Sequence, residues 1–190
     1  MRIISGSFKG KKLLQPIDKL TRPLRDMVKE SIFNLLRHSN KISLNIEMSN
    51  VLDLFSGSGS FGLECISRGA KAVTFIENYP KALNVLKKNI NKLNLETRSR
   101  IINENCFQYF SSNKKIYDKY DLIFIDPPYI KENINPILDA IKEKKILKEN
   151  GIIIIHKKKT DEANITDKLN IIDKRLYGIS KIIIGQFKFD

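Results

Sequence analysis

Residues 51–62 read VLDLFSGSGSFG, a short apolar run that closes on an acid and gives way to three glycines. Val51, Leu52 and Leu54 form a buried strand, and Gly57, Gly59 and Gly62 form the turn and helix start after it. The spacing is G-x-G-x-x-G, which brings a ligand against backbone amides at a helix N-terminus. Such a segment belongs to a βαβ unit, so it commits the chain to a parallel sheet covered by helices. Two cofactor chemistries fit the glycines: the pyrophosphate of a dinucleotide, or the amino acid and sulfonium of S-adenosylmethionine. Charge separates them, because phosphate avoids carboxylates and a cation seeks them.

The rest of the chain repeats the same pattern. Phe61 to Arg68 should be a helix closed by Gly69. Ala72 to Ile76 is a second strand ending at Glu77, with Asn78 placed to cap a helix whose face is Leu83, Leu86, Ile90 and Leu93. Arg100 to Asn103 is a weaker third strand, followed by Asn105, Cys106 and a short helix through Phe110. Tyr120 to Ile125 is a fourth strand ending in Asp126. Asn135 and Pro136 start a helix to about Leu147, and Ile152 to Ile155 make a fifth strand buried on both faces. No full helix separates the last two runs, Ile171 to Tyr177 and Lys181 to Phe189, so they read as an antiparallel hairpin about Gly178. The expected fold is α/β, a doubly wound, mostly parallel seven-stranded sheet, Rossmann-like in order.

Ahead of it, residues 2–14 suggest a small hairpin or arm, and Pro23 opens a helix to about Arg37. One domain is expected over 1–190: an arm at 1–20, a leading helix and linker at 21–50, and the core at 51–190.

The chain carries 34 Lys and Arg against 21 Asp and Glu, a net charge of +13. Eight basic side chains fall within residues 1–30: Arg2, Lys9, Lys11, Lys12, Lys19, Arg22, Arg25 and Lys29. A polyanion such as nucleic acid is the natural partner, although a lysine- and isoleucine-rich composition alone raises charge too. No uncharged apolar run approaches the ~18 residues of a membrane span, and no export signal is read at the N-terminus. Cys65 and Cys106 form no Cys/His cluster, so no zinc site is expected and a reducing, cytoplasmic setting is the default.

Three strands end in acids: Asp53, Glu77 and Asp126. Ligands of an open parallel sheet bind at that carboxyl edge, and three carboxylates would repel a pyrophosphate. This tilts the glycine loop toward S-adenosylmethionine, while Glu77, 20 residues past Gly57, suits a ribose diol under either cofactor. Strand-end acids also serve as helix caps. Asp126-Pro127-Pro128-Tyr129 is the deciding motif. The prolines hold the backbone extended and leave the Pro127 carbonyl open beside the Asp126 carboxylate. That gives two acceptors for a planar amine with two N–H donors. The ring of Tyr129 offers a stacking platform for the base. Read structurally, the same four residues are a rigid strand exit. Asn105 and Cys106 are either an adenine-reading pair or a loop Asn and a buried Cys. His38 reads as surface. His156, followed by Lys157 to Lys159, is either a substrate contact or, on the safer reading, a solvated basic rim.

At these residues the chain resembles the RsmD-type bacterial 16S rRNA guanine-N2 methyltransferases. The likeness runs through MRIISGSFKGKKL at the start, RPLRDMVKESIFN at 22–34, DLFSGSGSFGLE at 53–64, DPPY at 126–129 and RLYG at 175–178. It implies a class I methyltransferase fold and methyl transfer from S-adenosylmethionine to the exocyclic N2 of a guanine. The substrate implied is small-subunit rRNA in an assembled or partly assembled 30S particle, and the enzyme is expected to be a monomer. Candidate cofactor contacts are then Asp53, Phe55, Gly57, Gly59, Phe61, Glu77, Asn78, Asn105 and Cys106. The guanine falls to Asp126, Pro127, Pro128 and Tyr129, and rRNA to Arg2, Lys9, Lys11, Lys12, Arg22 and Arg25. Departures from the family pattern stand at Leu24 and Arg25 (a threonine is usual after Arg-Pro), Cys106, and His156, where an acid is common.

Overall fold

The computed structural model describes residues 1–18, 24–113, 115–128, 133–161 and 167–188. Five helices, α1 (Asp26–His38), α2 (Ser60–Ser67), α3 (Pro80–Lys92), α4 (Cys106–Ser111) and α5 (Asn135–Glu143), flank seven strands. The strands are β1 (Asn50–Leu54), β2 (Ala72–Ile76), β3 (Ser99–Ile102), β4 (Tyr120–Ile125), β5 (Leu147–Lys158), β6 (Leu169–Tyr177) and β7 (Ser180–Phe187). They lie in one sheet in the order β3-β2-β1-β4-β5-β7-β6. β1 to β5 pair in parallel, while β7 runs antiparallel to both β5 and β6. The expected sheet, with its closing hairpin, is therefore present. It is the class I methyltransferase arrangement.

Period-two alternation divides the core between the two faces of the sheet. Val51, Phe124, Ile152 and Ile154 face α1, α2 and α3, and Leu52, Leu54, Ile125, Ile153 and Ile155 face α4 and α5. Strand order reverses between β1 and β4, so a crevice opens beyond their carboxyl ends. α1 presents Val28, Ile32, Phe33 and Leu36 inward, with Asp26 in its first turn and Arg37 in its last complementing the helix dipole.

The opening arm is docked, not free. The Glu64 carboxylate accepts the amides of Ile4 at 2.7 Å and Ser5 at 3.0 Å, and the Arg68 Nε–H at 2.8 Å. Lys29 Nζ lies 3.6 Å from Glu64 and donates to the Arg2 carbonyl at 2.7 Å and to Ser60 Oγ at 3.0 Å. Lys29 is wholly buried, and burial pulls its pKa down against the opposing pull of Glu64. Counting Lys29 among the basic groups open to a polyanion is thus corrected: its charge is spent inside. A single bridge, Arg2 to Lys12, is all the strand pairing that the arm makes among the described residues.

Two boundaries differ from expectation. α5 stops at Glu143, because Lys145 takes a left-handed φ of 51° and turns the chain into β5. β5 runs from Leu147 to Lys158, well beyond the aliphatic stretch that announced it. The predicted helix start at Pro23, with Arg22, Tyr129 and Phe189, lies outside the described residues. Among those residues no helix is long and apolar enough to cross a membrane.

Candidate active site

Register brings the strand ends together. Leu54 pairs with Ile76 on one side and Ile125 on the other, so Phe55, Glu77 and Asp126 emerge side by side, and the Asp126 amide donates to the Leu54 carbonyl at 3.4 Å. The loop after β1 is left-handed at Phe55 (φ 56°), Gly57 (φ 56°) and Gly59 (φ 80°). Gly57 has open space where a Cβ would stand, which suits close approach of a ligand. A Cβ on Gly62 would come 2.4 Å from the Phe75 ring, so that glycine serves the packing of α2 on β2.

Glu77 holds this loop. Its Oε2 accepts the Gly57 amide at 2.7 Å, and Oε1 accepts the amides of Asn78 at 2.9 Å and Tyr79 at 2.8 Å. The acid therefore caps α3, whose N-cap position is Tyr79 and whose first residue is Pro80. The expectation that Asn78 caps the helix is corrected: Asn78 is exposed at the same edge. Asp53 is 1% exposed, and its Oδ2 accepts the Gly62 amide at 3.0 Å. Burial pushes the Asp53 carboxyl well up from the ordinary range, and the nearby charges of Asp126 and Glu77 push the same way. Asp53, near the end of β1, thus lies within electrostatic reach of the carboxylates that follow β2 and β4.

Asn105 caps α4, its side chain accepting from the amides of Phe107 at 2.9 Å and Gln108 at 3.3 Å, and Cys106 is buried behind it. Phe55 is half-buried at the loop, its ring tilted against Phe107 with centroids 5.7 Å apart. Phe61 is elsewhere. It is 2% exposed and stacks on Phe33 at 5.2 Å and Phe124 at 3.9 Å, with the Arg68 guanidinium 4.3 Å from the Phe33 ring centroid. Its assignment as a cofactor contact is corrected to a core residue. The second position of a helix packed flat on the sheet turns inward.

Beyond β4, Asp126 keeps 21% of its side chain exposed, Pro127 is buried and Pro128 is exposed. Asp126 is joined by a residue that sequence reasoning placed on a solvated rim. His156 is 6% exposed, its Nδ1 lying 2.8 Å from Asp126 Oδ1 and its Nε2 2.9 Å from Ser180 Oγ. The signal was available in the aliphatic run: β5 continues past Ile155, and His156 and Lys157 still pair with Ile182 and Lys181 of β7. Lys157 is buried as well, ion-paired to Asp161 at 3.0 Å. His38 is exposed on α1 as expected, and Arg2, Lys9, Lys11, Lys12 and Arg25 are exposed on the arm and at the start of α1. No cluster of three or more His, Cys, Asp or Glu side chains that could hold a metal ion occurs among the described residues.

A family model described as Conserved hypothetical protein 95 matches residues 1–186. The chain belongs to that family, the RsmD family. Ribosomal RNA small subunit methyltransferase D of Buchnera aphidicola subsp. Acyrthosiphon pisum is 34% identical over 175 residues, covering 92% of this chain and 86% of the relative. Of solved structures, one described as a candidate methyltransferase of Escherichia coli superimposes with a TM-score of 0.81 at 25% identity, covering 100% of this chain and 99% of that one. A candidate methylase of Haemophilus influenzae gives 0.77 at 30% identity, over 98% of this chain and 97% of that one. The RsmD-type resemblance drawn from the arm, the glycine loop and DPPY thus holds across nearly the whole RsmD-family chain.

Proposed function

We propose that this protein, acting as one catalytic domain, transfers a methyl group from S-adenosylmethionine to the exocyclic N2 of a guanine in small-subunit rRNA, in an assembled or partly assembled particle. The observation that carries the reading is the meeting of Asp53, Glu77 and Asp126 around the glycine loop in the β1/β4 crevice. A cationic donor and an amine acceptor are favoured there, and a pyrophosphate is not. The residues fit such a cofactor: Gly57 leaves room beside its backbone, exposed Asn78 beside Glu77 would meet the ribose, and Asn105 and Cys106, after β3, would lie toward the purine.

S-adenosylmethionine supplies an electrophilic methyl group. The protein's part is orientation and charge. Asp126 accepts one N–H of the substrate amine and the Pro127 carbonyl accepts the other, which draws the nitrogen lone pair out of conjugation with the ring. As the nitrogen gains positive charge the Asp126 carboxylate stabilises it, and the departing N–H proton leaves toward that oxygen. Holding the two reactants in line supplies much of the rest. Exposed Arg2, Lys9, Lys11, Lys12 and Arg25 supply the salt-dependent grip on rRNA.

Calorimetry with S-adenosylhomocysteine and with NAD, paired with labelled methyl transfer to small subunits and to duplex DNA, tests this. Binding of the homocysteine product and label in the small subunit are expected. Dinucleotide binding alone would turn the reading to a dehydrogenase, and label in DNA alone to an adenine-N6 methyltransferase.

A further inference from the structure

Asp126 is held from behind. A carboxylate can only accept, so the proton between Asp126 Oδ1 and His156 Nδ1 sits on the imidazole, which fixes the tautomer. Nε2 of the neutral ring is then an acceptor, and Ser180 Oγ, itself 6% exposed, donates to it. The chain of contacts runs from Asp126, just past the end of β4, to His156 on β5 and Ser180 on β7, three neighbouring strands of the sheet. With Oδ1 engaged by His156, Oδ2 has no hydrogen bond to the described residues.

We propose that His156 is a positioning residue: with Ser180 it locks the Asp126 carboxylate so that one oxygen is turned to the substrate amine, and its protonation weakens that oxygen as an acceptor. The proposal rests on the assignment of Asp126 to that amine. The charged groups around it are accounted for by strand. Burial lowers the His156 pKa and Asp126, just past β4, raises it through charge and hydrogen bond, for a net rise. On β5 and β7, Lys157 and Lys181 turn to Asp161, and on α1, Lys29 turns to Glu64. Asp53 on β1 couples to the same Asp126. An imidazolium beside Asp126 offsets its negative charge, so the neutral ring is the active form and activity falls as pH drops through the His156 pKa.

The test uses the full-length enzyme and small ribosomal subunits, with His156→Leu, His156→Asn and Ser180→Ala assayed from acid to alkaline pH. Leu removes the N–H. Asn presents an amide N–H where Nδ1 stood but does not titrate. His156→Leu should lower kcat about tenfold to a hundredfold with the cofactor KM little changed. His156→Asn should recover most of the loss at alkaline pH and abolish the acid limb, and Ser180→Ala should shift the limb. Activity of His156→Leu within about twofold of the parent, or an unchanged acid limb in His156→Asn, overturns the proposal. NMR titration of the His156 ring in the parent and in Asp126→Asn keeps the two readings apart. A lower ring pKa in Asp126→Asn supports the coupling whatever the enzyme methylates, and an unchanged one refutes it even if methylation proceeds.

Discussion

Glu77 Oε2 accepts the Gly57 amide at 2.7 Å, tying the acid at the end of β2 to the glycine loop at the end of β1. The same carboxylate caps α3 through Asn78 and Tyr79, so a side chain read in sequence as a ribose ligand also shapes the loop that such a ligand enters. Glu77→Ala would strand three amides. It should cost about 1–3 kcal/mol of stability and weaken S-adenosylhomocysteine binding at least tenfold, measured by urea unfolding and calorimetry. Glu77→Gln, which keeps one acceptor oxygen, should fall between. Wild-type affinity in Glu77→Ala would remove Glu77 from the site.

Lys29 and Glu64 make the second test. Both are wholly buried, and Glu64 also anchors the arm through two amides. Lys29→Ala leaves the carboxylate without its buried cation and should destabilise by about 3–5 kcal/mol in denaturant unfolding. Exposed Lys9→Ala should leave stability unaltered and reduce the salt dependence of rRNA binding. A Lys29→Ala variant as stable as the parent would mean that the arm is held by other contacts.

Phe61 separates packing from binding. Flanked by Phe33 and Phe124, it should cost about 3–5 kcal/mol when replaced by Ala, while the folded fraction binds S-adenosylhomocysteine with an affinity within about twofold of the parent. Calorimetry under conditions where the variant is folded checks this. A large affinity loss would return Phe61 to the cofactor site.

Asp53 carries a pH dependence. Its carboxyl is raised by burial first, so Asp53 takes up a proton more readily in the folded than in the unfolded chain. Stability from this group is full below the ordinary carboxylate pKa and is lost as pH rises through the elevated folded value. Asp53→Asn keeps an acceptor for the Gly62 amide and drops the charge. It should remove that loss, matching or exceeding parental stability near neutrality, while weakening a cationic cofactor. Unfolding curves at several pH values give the first quantity and calorimetry the second.

How much of this was legible beforehand follows from which residues speak locally. β1, β2 and β4 announce themselves through short apolar runs ending in acids, and Gly57 and Gly59 through a turn that needs left-handed backbone. Glu77 follows the end of its strand as expected, but a strand-end acid looks alike whether it caps a helix or meets a ligand. Phe55 and Phe61 flank the same glycines, and only the packing of α2 on the sheet decides that one stays near the opening and the other is sealed within. Lys29 and His156 misled for a shared reason. Charged and polar side chains read as solvent-facing unless a partner is visible, and theirs, Glu64 and Asp126, are distant in sequence and meet only in the folded sheet.

Nucleoside mass analysis of small-subunit rRNA, after incubation with S-adenosylmethionine and either the parent or Asp126→Asn, tests the central claim most directly. The account predicts one N2-methylguanosine with the parent and its near absence with the variant. Methylation of another base or another atom, or undiminished methylguanosine with Asp126→Asn, would contradict it.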